Sequence, residues 1–206
     1  MNKPNTLFDY GIPAQMPYAL YIHGLGSSAA SGTKSSLARS LDGYEWLSPE
    51  ITHNPFESLN ILNEWVAAFQ PALIAGTSMG GLLAMYVNSS NAIKVAVNPC
   101  MEIERVLRKI GYGKHPYLQP RENGETEYVI DEPMIRQFIT FRETNTPILG
   151  TRNIALFSTD DELIGREFSR KNATFLESIG YEIYWNSKFG HRCNEQAAKQ
   201  IQTILS

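Results

Sequence analysis

Short apolar runs alternate along the chain with longer stretches of helical period. "YALYIH" (18–23), "ALIAG" (72–76), "KVAVN" (94–98), "NIALFS" (153–158) and "YEIYW" (181–185) have the length and apolar density of buried or half-buried strands. "EWLSPEI" (45–51) is a weaker strand, interrupted by Pro49. Between the strands, Leu59, Leu62, Val66 and Phe69 fall on one face of a helix. Phe168, Phe175, Leu176 and Ile179 do the same before Gly180, a residue suited to stop a helix. Ala197, Ala198, Ile201 and Leu205 mark a last helix. Strand and helix in strict alternation predict parallel strands joined by right-handed crossovers, with helices on both faces. The expected architecture is an α/β sandwich with a reduced, mostly parallel sheet of about five or six strands.

One stretch breaks this rhythm. Residues 101–150, which include "GYGKHPYLQPRENGETEYVIDEPMIRQF", exceed an ordinary connection between strands. Their Gly, Pro and Tyr content predicts an irregular excursion with one or two short helices. An insertion after the carboxyl end of a strand overhangs the ligand crevice of an open α/β sheet, so the segment is read as a lid.

The chain of 206 residues suits a single domain spanning 1–206. Apolar content of 43% and charged content of 19% describe a globular protein. A net charge of −3 without a basic run argues against a nucleic-acid surface. No apolar stretch approaches the roughly 20 residues of a membrane span, and the N-terminus lacks the basic start and apolar core of a secretory signal. Cys100 and Cys193 lack metal-site spacing. Reduced thiols and a cytoplasmic location are the expectation. No oligomeric state follows from the sequence.

The candidate chemistry lies at "ALIAGTSMGGLLAMYV", where an apolar run changes period around Gly76-Thr77-Ser78-Met79-Gly80. G-x-S-x-G between a strand and a helix is the pattern of a nucleophile elbow. Lifting a serine clear of a sheet needs an unfavourable backbone conformation and close passage of the flanking chain, so Gly76 and Gly80 must lack a Cβ. The helix starting after Ser78, carried by "LLAMYV", would aim its free N–H groups at the site.

A serine hydroxyl needs an imidazole to remove its proton and a carboxylate to hold that imidazole in the right tautomer. His115 and His191 are the histidines that follow Ser78. His191, in "KFGHRCNEQ" between the last strand and last helix, is the better base, since His115 lies inside the lid. The acid belongs at the end of "NIALFS", where Asp160, Asp161 and Glu162 all stand close. The position before Leu163-Ile164 favours Asp161, with Asp160 in reserve. The oxyanion hole is assigned to the backbone N–H groups of Met79 and of Leu25, the latter in "YIHGLGSS". His23 reads as a structural hydrogen-bonding residue beneath that loop.

Two competing patterns are weak. Gly24-Leu25-Gly26-Ser27-Ser28-Ala29 matches a dinucleotide-binding G-x-G-x-x-A, with Glu45 or Glu50 near the place of a ribose-binding acid, but it leaves the elbow unexplained. "SGTKSS" (31–36) fails the phosphate-loop pattern because Thr33 separates Gly32 from Lys34.

"YIHGLGSS", "GTSMGG", "VNPC", the "GKHPYLQPRENGETEYVI" insertion, "FSTDDEL" and "GH", in this order, resemble the YqiA-type small α/β-hydrolase esterases. The resemblance runs from about Tyr18 to the last helix. It implies a carboxylester hydrolase acting on short-acyl esters, without metal or cofactor, with Ser78, Asp161 and His191 matching the family triad. The same triad would serve a thioesterase or acyltransferase, and a non-catalytic binding protein could share the scaffold.

Overall fold

Alternation along each strand decides which core its side chains enter. The computed structural model describes residues 16–119, 121–186 and 189–206; the N-terminal stretch read above for a secretory signal lies largely outside them. In chain order the first elements are β1 (Tyr18–Ile22), α1 (Gly32–Ser40), β2 (Glu45–Leu47), α2 (Pro55–Phe69), β3 (Leu73–Thr77), α3 (Met79–Ala84) and β4 (Ile93–Val97). The inserted region holds α4 (Ile103–Ile110), β5 (Gly113–Pro116), β6 (Glu127–Ile130) and α5 (Glu132–Thr144). The chain closes with β7 (Arg152–Ser158), α6 (Arg166–Ser178), β8 (Glu182–Asn186) and α7 (Glu195–Leu205).

Six strands form one sheet in the order β2-β1-β3-β4-β7-β8, every neighbouring pair parallel. Leu20, Ile22, Ile74, Ala155 and Phe157 enter one core. Their sequence neighbours Ala19, Tyr21, Leu73, Ala75, Ile154 and Leu156 enter the other. With both faces buried the strands read as unbroken apolar runs, which is why they stood out in the sequence. Leu37 of α1 and Ala197, Ala198 and Ile201 of α7 cover one face. Helices α2, α3, α4, α5 and α6 supply the core on the other. The weak strand survives only as β2, which ends before Pro49.

Three expectations need correction. The helix after the elbow stops at Ala84, so Met85–Val87 of "LLAMYV" lie in turns although all three are buried. In α6 the buried face is Ser169, Asn172, Ala173 and Leu176, whereas Phe175 is exposed. Phe168 lies instead under the guanidinium of Arg105, 3.2 Å from ring centroid to Cζ. An i, i+3, i+4, i+7 stripe of small residues packs closely against the sheet, and the hydropathy of the two phenylalanines concealed it.

The third correction concerns the insertion, which is ordered into two helices and an antiparallel hairpin. Helix α5 is core rather than cover: Met134, Ile135, Phe138 and Phe141 are buried. Asp131 caps it by accepting the Met134 N–H at 2.8 Å. Pro133, which reads as a loop residue, occupies the first helical turn, where its missing N–H costs nothing.

At the far end of the sheet Lys94 is buried, its ammonium donating to the carbonyls of Val87 (2.7 Å) and Ile148 (2.6 Å). Burial pulls its pKa down to about 8. Between that value and the ordinary lysine range the unfolded chain binds the extra proton, so this residue's contribution to stability grows as pH rises through the window. Relative to Lys94→Met, wild-type unfolding free energy should therefore gain up to about 1.4 kcal/mol per pH unit from pH 8 to 10. Urea titrations of both proteins across that range check it; a constant difference would contradict the assignment.

Candidate active site

The turn from β3 into α3 places Ser78 at φ 58°, ψ −116°, a conformation costly for any residue with a Cβ. Its carbonyl accepts from Leu82 and Cys100 and its N–H donates to Val97, which hold the corner in place. Both elbow glycines are sterically required. A Cβ on Gly76 would stand 2.1 Å from the Gly80 carbonyl oxygen, and one on Gly80 would stand 2.0 Å from that of Ile22. Ser78 occupies the N-cap position of α3 yet makes no capping bond. It instead lines a cavity of about 790 Å³ together with Gly24, Leu25, Leu163 and His191.

His191 is carried on the loop between β8 and α7. Its Nδ1 lies 2.9 Å from Asp161 Oδ2, a carboxylate with no side-chain exposure. Asp161 Oδ1 accepts two backbone N–H groups, from Leu163 (2.9 Å) and Ile164 (2.8 Å). Three donors thus hold this buried charge and fix its orientation. An anionic acceptor at Nδ1 keeps the proton there and leaves Nε2 with its lone pair. No bond between the imidazole and the Ser78 hydroxyl is formed among the described residues, although both line the same cavity. Such contacts are often long without substrate and tighten in the reacting complex.

The acidic turn divides its labour. Asp160 does not meet the ring; it accepts from the Ser158 hydroxyl and from the Gly190 N–H at 3.1 Å, and the Ser158 bond holds its carboxyl below the usual range. Glu162 accepts the His191 N–H at 3.0 Å. All three acids therefore grip one loop, and Asp161 alone grips the imidazole.

Sequence reasoning missed Asn98, which is fully buried at φ 42° just past β4. Its Nδ2 donates to the carbonyls of Gly190 and His191, both at 2.9 Å, and its Oδ1 accepts the Ser158 N–H at 2.7 Å. "VNP" contains the signal, but only the long-range contacts give it meaning. Glycine tolerates the left-handed backbone, so Asn98→Gly should fold and free the histidine loop. We expect kcat for an ester to fall by about 10²-fold, with KM little changed. Steady-state kinetics beside a thermal melt check this, and unchanged kcat would remove Asn98 from the site.

The other candidates are placed as follows. Met79, the first residue of α3, presents an N–H with no acceptor inside its helix. Gly24 packs so closely that a Cβ there would lie 3.5 Å from the Ser78 Cβ, which brings the Leu25 loop beside the nucleophile. His23 is buried, with Nδ1 donating to Gly24 and Nε2 accepting the Ile51 N–H. Burial, helped by the nearby Arg121 charge, lowers its pKa to about 4, so it stays neutral. Its 3.7 Å approach to Glu50 is therefore not an ion pair. His115 bonds the Gly111 carbonyl within the insertion and does not line the cavity. Glu50, weighed above as a ribose acid, is engaged by Arg121 and by the Ala29 N–H. Both cysteines are free and buried; burial pushes the Cys193 thiol up to about 12 and the Cys100 thiol higher still, so neither supplies a thiolate. Among the described residues no cluster suited to a metal ion occurs, and no helix is long and apolar enough to cross a membrane.

Solved structures of α/β-hydrolase fold superpose on the chain. An esterase domain from Rhodothermus marinus superposes with a TM-score of 0.64 at 19% identity, covering 94% of this chain and 87% of that one. Est1E from Butyrivibrio proteoclasticus gives 0.66 at 17%, with coverage of 94% and 87%. A monoacylglycerol lipase from Paleococcus ferrophilus gives 0.64 at 16%, with 91% and 93%. These likenesses establish the fold. Comparison with curated proteins returned no significant match. Residues 18–206 match the Uncharacterised protein family UPF0227, so the chain belongs to that family, the YqiA-type group anticipated from its motifs.

Proposed function

We propose that this protein hydrolyses small carboxylic esters, with preference for short acyl groups, through Ser78, His191 and Asp161. The observation that carries the reading is a strained serine opening into the same cavity as an imidazole whose far nitrogen is bonded to a buried carboxylate. Structurally similar esterases and lipases support it as analogy.

In the proposed reaction His191 Nε2 takes the Ser78 proton as Oγ attacks the ester carbonyl carbon. The tetrahedral oxyanion accepts from the N–H groups of Met79 and Leu25, each worth about 3 kcal/mol. The C–O bond to the alcohol then breaks, the leaving oxygen taking the proton from His191. Water, deprotonated by the same Nε2, attacks the acyl-serine and releases the acid. Asp161 remains ionised throughout and stabilises the imidazolium. Helix α4 and the hairpin β5–β6 roof this cavity with Ile103, Val106, Pro116, Leu118 and Tyr128, and they form the lid portion of the insertion.

A fluorophosphonate probe should label Ser78, located by mass spectrometry, and p-nitrophenyl acetate and butyrate should be turned over. Neither labelling nor turnover in folded protein would overturn the proposal and leave a binding role for the scaffold. Faster turnover of acyl thioesters than of oxygen esters with the same acyl group would reassign the leaving group.

A further inference from the structure

The hairpin over the cavity is attached to the loop that carries Leu25. Residues 24–29 have little conformational preference of their own: the stretch contains two glycines, with Gly26 at φ +68°. Internally it makes one backbone bond, Ser27 N–H to Gly24 O at 3.2 Å. Most of its remaining anchors come from the insertion. Leu118 N–H donates to the Gly26 carbonyl at 2.8 Å. The Ser28 hydroxyl donates to Gln119 Oε1 at 3.4 Å. The Tyr128 ring fills the space a side chain at position 26 would take, 3.2 Å from an ideal Cβ.

Arg121 ties these contacts together. Its side chain is only 6% exposed, and its Nε lies 3.0 Å from Glu50 Oε2. Its terminal nitrogens donate to the carbonyls of Ile51 (2.7 Å) and Ser27 (3.4 Å). Glu50 Oε1 in turn accepts the Ala29 N–H at 2.7 Å, so the two charged partners hold the second half of the loop at Ser27 and Ala29. The guanidinium also rests 5.0 Å from the centroid of Tyr117, whose ring stacks on His53.

We propose that the hairpin tip is a brace for the oxyanion loop, with Arg121 as a positioning residue that sets the Leu25 N–H through the Gly24–Ala29 backbone. This rests on the esterase reading above and assigns the insertion a catalytic purpose beyond cover. A cover that swung away would break the Leu118–Gly26 and Arg121–Ser27 bonds and leave the half-buried Glu50 carboxylate, 17% exposed, without its cation. The tip therefore stays seated during turnover and keeps the donor aimed. An oxyanion donor acts through geometry alone, and losing one lowers kcat by about 10²–10³-fold.

The test uses the full chain carrying Arg121→Met with Glu50→Gln, so that neither charge is left buried alone, and Arg121→Lys as a milder variant that keeps the charge. Thermal melts establish which variants are folded at assay temperature. For p-nitrophenyl acetate, butyrate and octanoate alike, kcat should fall by about 10²-fold in the double variant, with KM within about twofold. Arg121→Lys should lie between it and wild type. The pH profile of kcat/KM should not move, because the His191–Asp161 pair is untouched. Amide exchange in residues 24–29 should quicken in both variants. Unchanged kcat in a folded variant, or a defect confined to KM and growing with acyl length, would overturn the brace; the second pattern would mark a simple lid. Should wild type turn over no ester, the esterase reading fails on its own. Exchange then decides the brace, and unaltered protection of 24–29 sinks it.

Discussion

Ser78→Ala is expected to lose p-nitrophenyl butyrate hydrolysis by about 10⁴–10⁶-fold in kcat and to lose fluorophosphonate labelling, while folding as wild type does. The effect is large because the two thiols that line the cavity among the described residues, Cys100 and Cys193, are both held by burial well above the ordinary cysteine range. The fold should be indifferent, because the hydroxyl caps no helix and alanine keeps the Cβ at this corner. Its removal also leaves His191 bonded to Asp161. Kinetics and a thermal melt on the same preparation test both halves. A folded alanine variant within tenfold of wild type would end the serine mechanism.

Asp161→Asn should cost nearly as much, about 10⁴-fold in kcat, for a reason visible in its hydrogen bonds. Oδ1 accepts the N–H groups of Leu163 and Ile164, so an asparagine must keep its carbonyl oxygen there. Its NH₂ group then faces His191 Nδ1, where Oδ2 now sits at 2.9 Å. A donor in that place pins the imidazole as the tautomer protonated at Nε2, which cannot accept the serine proton. Asp160→Asn offers the control. Its Oδ1 can still accept from Gly190 and Ser158, so the loss should stay below about tenfold. If Asp160→Asn were the crippling change, the two carboxylates would exchange roles.

Much of this site was legible before any coordinates. The elbow at Gly76–Gly80 follows from local sterics, and clashes of about 2 Å at both glycines confirm that no larger residue fits. The order of serine, acidic turn and histidine restricted the partners to a few residues. The sequence favoured Asp161 over Asp160 but left Asp160 in reserve, because adjacent residues in a turn point in different directions and the turn's conformation is set by its neighbours. Asn98 was hidden for a related reason. An asparagine past a strand looks like any turn residue until Gly190 and Ser158 are brought against it across β4 and β7. In the insertion, proline content argued for an irregular excursion where Pro133 sits in the first turn of α5, and nothing in the local sequence marked Arg121 as buried.

The sequence by itself pointed to a mostly parallel sheet of about five or six strands and to the corner at Ser78, because strand burial and elbow sterics depend on residues close together along the chain. Only the tertiary structure decided that Asp161 meets His191, which side chain clamps its loop, and which ion pair supports the loop of Leu25. Those contacts join residues 21 to 94 positions apart. Their geometry comes into being when the sheet twists, the helices pack and the charges lose their water.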